Sequence, residues 1–170
     1  MSIARKQCGI NIVSGFVPVD MSGGANEGDY VNLTNYKSVI VVLFKAVGTA
    51  GDDPTLTLTQ ATAADGTGAK ALEIIDVAFT KQDSLLSGVA DYTKVTQTAA
   101  STLTDATSAE DQAIWQVEVQ ATELDLANGF TFLKCGVADV GTNAQIGCAF
   151  YIMGEPRLEA SPENLVTAIS

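Results

Sequence analysis

The chain has no histidine in its 170 residues. That removes the side chain most used as a general base and as a metal ligand near neutral pH. Its three cysteines, Cys8, Cys135 and Cys148, are too few and too scattered for a zinc site. Aromatic residues make up 6%, with one tryptophan, so the stacking platforms that carbohydrate enzymes rely on are not to be expected. Positive charge is scarce as well. Nine basic residues stand against 20 acidic ones, the net charge is −11 and the pI is near 4.1. Such a chain repels nucleic acid and anionic membranes. The longest apolar run, VIVVLF (Val39 to Phe44), is far short of the roughly 20 residues that cross a bilayer. The start, MSIARKQCGINIVSGFVPVD, lacks the continuous apolar stretch of a secretory signal. The expectation is a soluble product of a cytoplasm.

What the chain does have is 46% apolar residues and a recurring period of two. Lys37 to Ala46 (KSVIVVLFKA) is β-branched and apolar on both faces, as a central strand buried from two sides should be. Thr55 to Ala61 (TLTLTQA) alternates Leu56 and Leu58 with threonines, after the turn residues Gly51, Asp52, Asp53 and Pro54. Leu72 to Lys81 sets Ile75, Val77 and Phe79 on one face, and Ile114 to Ala121 sets Trp115, Val117 and Val119 on one face. GINIV, YVNL and the weaker YTKVTQT add further strands. Thr96 to Gln112 has the composition of an exposed loop. TELDLANGF (Thr122 to Phe130) suits one helical turn or a bulge ended by Asn128 and Gly129. Ser161-Pro162-Glu163 suits the start of a short terminal helix, and an extended arm fits equally.

The segments TFLKCGVA and AQIGCAFYIM flank DVGTN, with Gly141 and Asn143 as turn residues. This reads as a hairpin pairing Leu133 with Phe150, Cys135 with Cys148 and Val137 with Ile146 on one apolar face. Gly136, Ala138, Gly147 and Ala149 then form the opposite face. It is either a lightly packed solvent face or, through its small side chains, a subunit contact. Within bonding reach, Cys135 and Cys148 would be able to form a disulfide; in a cytoplasmic product, reduced thiols packed as small hydrophobes are expected.

About eight short strands with no sustained amphipathic helix predict an all-β fold, an antiparallel β-sandwich or barrel. The whole chain, 1–170, reads as one domain, with an N-terminal arm over 1–9 and a C-terminal tail over 156–170.

No chemistry is spelled out. ADGTGAKA lacks the Gly-Lys-Ser/Thr ending of a phosphate loop, and a β-like run follows it rather than a helix whose N-terminus would hold the anion. Asp52 and Asp53 would suit a hard cation, but no spaced acidic motif supplies the other oxygens. The acid pairs Glu118/Glu123 and Glu73/Asp76 have no concave aromatic setting. Cys8 has no activating base. The expectation is a non-enzymatic binding or structural module with no catalytic residue, metal or cofactor.

Three segments carry a resemblance: NYKSVIVVLFKAVGTAGDDPTLTLTQATAADGTGAKAL, LDLANGFTFLKCGVADVG and FYIMGEPRLEASPEN. Together, over about residues 30 to 164, they resemble small virion proteins of tailed bacteriophages of the capsid decoration (cement) type. The resemblance implies a jelly-roll-like β-sandwich that stabilises a phage capsid by binding its exterior between capsomers, after assembly in the host cytoplasm. The implied partners are the major capsid protein and the chain itself, as a homotrimer, with neither nucleic acid nor membrane. Arg5 and Lys6 in the arm, with Gly136, Gly147 and Ala149, are the candidate interface residues. The alternatives are another phage structural subunit (tail, head fibre or head–tail joining) and a carbohydrate- or calcium-binding β-sandwich module.

Overall fold

The computed structural model describes residues 10–83, 91–105, 111–158, 165 and 168. Among these there are twelve strands, three 3-10 turns and no α-helix. The strands are β1 (Ile10–Asp20), β2 (Asn26–Glu27), β3 (Val31–Asn32), β4 (Tyr36–Lys45), β5 (Thr55–Ala61), β6 (Lys70–Ala71), β7 (Ile75–Asp83), β8 (Thr93–Ala100), β9 (Thr102–Thr104), β10 (Gln112–Gln120), β11 (Phe132–Val137) and β12 (Ile146–Pro156). They form two antiparallel sheets. One is six strands wide in the order β1-β12-β4-β10-β7-β8. The other runs β2-β11-β5-β6, with β3 also pairing β11 and β9 also pairing β5.

The order is that of a long hairpin rolled up on itself. β1 pairs with β12, β2 and β3 with β11, β4 with β10, and β5 with β6 and β9. The roll then brings β12 against β4 and β11 against β5. First pairs with last and so on inward, which is the jelly-roll arrangement of a β-sandwich. β7 and β8 are an addition to it. They extend the six-stranded sheet beyond β10.

Alternating side chains fill the space between the sheets. Val39, Val41 and Leu43 of β4, Trp115, Val117 and Val119 of β10, and Tyr151 and Met153 of β12 point inward from one sheet. Leu56 and Leu58 of β5 and Leu133, Cys135 and Val137 of β11 meet them from the other. All are essentially inaccessible to water, and each such aliphatic side chain contributes about 1.5–3 kcal/mol. Tyr151 also ties the layers together. Its hydroxyl donates to the Asp29 carbonyl at 3.0 Å and accepts from the Cys135 N–H at 2.8 Å.

The predicted hairpin between β11 and β12 does not exist: the two strands lie in different sheets. The connection between them crosses from sheet to sheet and is stitched to the 3-10 turn Met21–Gly23. Met21 N–H donates to the Gln145 carbonyl, Val140 N–H to the Met21 carbonyl, and Gln145 N–H to the Asp20 carboxylate. The side-chain parity of β12 is accordingly the reverse of the predicted one. Gly147 and Ala149 face the core, while Ile146, Cys148 and Phe150 face outward.

Three further readings are corrected. A bulge between Ile75 and Val77 breaks the face drawn through β7, so Ile75 is buried and Phe79 is exposed. Part of the segment read as a loop from Thr96 is strand: it holds most of β8 and all of β9. Lys37 to Ala46 is a central strand as read, but it is not covered on both sides, since Phe44 is exposed. Leu56 and Leu58 are fully buried. TELDLANGF folds as the 3-10 turns Ala121–Glu123 and Leu126–Asn128, the second closed by Gly129 at φ +81°. ADGTG is a compact turn in which Asp65 accepts from the N–H and hydroxyl of Thr67. The stretch Ser161-Pro162-Glu163 lies outside the described residues.

Candidate functional site

The two sheets differ sharply on their outer faces. The β2-β11-β5-β6 sheet, with β3 and β9, presents Thr55, Thr57 and Thr59 of β5, Thr102 and Thr104 of β9 and Lys134 of β11. Thr55 and Thr104 share a hydroxyl hydrogen bond of 2.7 Å, and Lys134 pairs with Glu27. This is an ordinary solvated sheet surface.

The outer face of the β1-β12-β4-β10-β7-β8 sheet is largely apolar across β1, β12 and β4 and mixed on β10, β7 and β8. Its register lays the outward residues in rows. One row runs Ile12, Ile152, Ile40 and Glu118. The next runs Ser14, Phe150, Val42, Gln116, Phe79 and Lys94. A third runs Cys148, Phe44, Ile114 and Lys81. Val42 is buried at the centre of the face, whereas Ile12 is 66% exposed, Ile146 49%, Phe79 45% and Phe44 43%. Scattered apolar side chains on a surface are ordinary, but contiguous ones across several strands mark an interaction face.

At one end this face dips into a cleft of about 300 Å³ lined by Pro18, Phe44, Ala46, Ile146 and Cys148 among others. Lys45 lies beneath it, 1% exposed, and donates to the carbonyls of Asp111 (2.6 Å) and Ala46 (3.3 Å). A second cleft, of about 420 Å³, opens by the 3-10 turns between Leu33, Ala121, Leu126, Thr131 and Arg157.

The predicted interface residues are not brought together. Arg5 and Lys6 lie outside the described residues. Gly136 sits on β11, in the β2-β11-β5-β6 sheet, where a Cβ would lie 3.4 Å from the Asn26 carbonyl and the Glu27 carboxylate. Gly147 and Ala149 sit on the other sheet and face inward, Gly147 against Met21. All three are buried within the chain, so none offers surface to a neighbour. Ile12, Phe44, Phe79, Phe150 and Ile152 do so instead. The signal that pointed to them was the two-sided apolar run of β4.

Asp52, Glu118 and Glu123 are engaged structurally. Asp52 accepts from the backbone and side-chain amides of Asn143, at 3.0 and 2.8 Å, and ties two loops. Glu118 accepts from the Gln120 side chain and Glu123 from the Gln120 N–H. Among the described residues, no three carboxylates or thiols converge. Cys135 and Cys148 are unbridged and lie in different sheets. Burial pushes the Cys135 thiol up to about 11 and raises that of Cys148. Neither is an activated nucleophile.

No family model matches the chain, and no curated protein matches it. The crystal structure of SPBc2 prophage-derived protein YomS is similar over 89% of this chain and 99% of that one. The identity is 7% and the TM-score 0.42, too low to carry weight for fold or function.

Proposed function

We propose that this chain is a non-catalytic structural protein of a tailed-phage virion, which decorates the capsid exterior and stabilises it by binding between capsomers. The observation that carries the reading is the contrast between the two sheets. An acidic, soluble-looking sandwich keeps one outer face threonine-rich and the other broadly apolar. That is the construction of a subunit whose work is contact. The segments from Asn35 to Leu72, Leu124 to Gly141 and Phe150 to Asn164 supply the link to phage decoration proteins, which they resemble.

The mechanism needs no bond making. A protein that binds the assembled lattice and not the dissociated subunits stabilises the lattice by mass action. Symmetry-repeated contacts, as in a homotrimer over neighbouring capsomers of the major capsid protein, multiply that effect through effective concentration.

Electron microscopy of particles assembled with and without this chain tests the reading. The expected result is added density on the shell exterior and shells that survive heating or chelation longer. Density on the tail or at the head–tail joint would replace the decoration role with another structural one. No density on any particle would overturn the virion reading.

A further inference from the structure

We propose that the outer face of the six-stranded sheet is the contact between copies of this chain, with Lys81 and Lys94 of one copy set against carboxylates of the next. This rests on the structural-subunit reading above and names the occupant of one face.

Charge is the first argument. Lys37 pairs with Glu155, Lys70 with Asp125 and Lys134 with Glu27. Lys45 is buried on backbone carbonyls. Lys81 and Lys94 belong to none of the ion pairs among the described residues. Both stand on the β7–β8 side of the apolar face, Lys81 with its ammonium 5.9 Å from the Tyr92 ring centre. They call for a neighbour rich in carboxylate. A second copy, with 20 acidic residues against nine basic ones, is such a neighbour. The three rows carry one carboxylate, Glu118, against the two ammonium groups of Lys81 and Lys94, so two like-charged chains can meet there with little acid set on acid.

Area is the second argument. Six strands spaced about 4.8 Å apart and some 20 Å long give a footprint of roughly 500–600 Å². Two copies then bury on the order of 1,000–1,200 Å², at the threshold for a specific contact. Edge-to-edge pairing is a poor competitor. The β1 edge is broken by two register shifts and Pro18, and the β8 edge carries Lys94.

Sedimentation of the full chain up to roughly 100 μM, where contacts of this size assemble, tests the proposal. The wild type is expected to self-associate, more weakly as salt is raised. Ile12→Glu and Phe79→Glu, at exposed positions that leave the thermal transition in place, are expected to raise the dissociation constant at least about tenfold. The double change Lys81→Glu/Lys94→Glu is expected to weaken association as well. In a Cys8→Ser background, alkylation of Cys148 is expected to slow as the chain associates. A wild type that stays monomeric throughout overturns the proposal. So does an oligomer that survives Ile12→Glu and Phe79→Glu with Cys148 labelled as fast as in the dilute chain. Neither result bears on shell binding, which particle microscopy reads separately; an intact oligomer with no density on any particle overturns the virion reading and leaves this contact standing.

Discussion

Two glycines show why single positions in this fold are unequal. A Cβ on Gly147 would fall 2.5 Å from the Met21 sulfur, within a packed core. Gly147→Val is therefore expected to cost about 1–3 kcal/mol, as overpacking does, read as a lower denaturation midpoint. Gly136, 3.4 Å from its nearest neighbours, has room for a methyl group, and Gly136→Ala is expected to be neutral or slightly stabilising in the same assay. The sequence placed both glycines on one shared face, because it showed small residues alternating with large ones but not which layer each strand joins. The thiols also differ. Cys148 is partly accessible, and Cys135 is sealed in the core with its pKa at about 11. Alkylation of the dilute folded chain is expected to modify Cys148 and spare Cys135 until the chain unfolds; equal labelling would contradict the packing.

At the scale of elements, what was legible followed from unbroken alternation. β5 and β10 show it, and the structure buries Leu56, Leu58, Trp115, Val117 and Val119; β4, read as buried from two sides, is buried on its inner face while Phe44 on the outer one is 43% exposed. β7 was misread because a single bulge changes side-chain parity, and a bulge has no composition of its own. The pairing of β11 with β12 was misread for a related reason. Short range in sequence favoured a hairpin, but Met21 and Asp20, well over a hundred residues away, hold the connection to another path. The candidate face was half legible. Its central strand announced itself through VIVVLF, while Phe79 and Phe150 joined it only through tertiary register. Among the turns, Ala121–Glu123 is closed by the Glu123 carboxylate accepting the Gln120 N–H at 2.7 Å. Glu123→Ala is expected to lower stability by about 0.5–2 kcal/mol, the usual loss for a capping interaction. A midpoint unchanged by that substitution would assign the turn to packing alone.

The molecule as a whole is acidic and responds to pH in a defined direction. Asp20 is held below its ordinary value by the Gln145 and Ser22 hydrogen bonds, Asp65 by the Thr67 hydroxyl and backbone N–H, and Asp125 by Lys70 and Asn128. A carboxylate whose folded pKa is depressed adds stability above its unfolded value and loses that contribution as pH falls through the folded one. Stability is thus expected to be flat from neutral pH to about 5 and to decline below about 4, as thermal melts across that range would show. Solubility is expected to fall in the same region, since the pI is near 4.1 and the apolar face then meets no net repulsion. Melting points that rise on acidification would contradict these hydrogen bonds.

The rolled hairpin sets Ile10 directly opposite Gly154, so the first and last strands of the sandwich begin and end at one corner. The order in which the ribosome makes the strands is therefore separable from the order in which they lie. A chain rejoined by a short linker at that corner and cut in the exposed 62–69 turn keeps every sheet neighbour it has now. Such a permuted chain is expected to adopt the same sandwich, with its new ends in the 62–69 turn, where a tag can be attached without interrupting a strand.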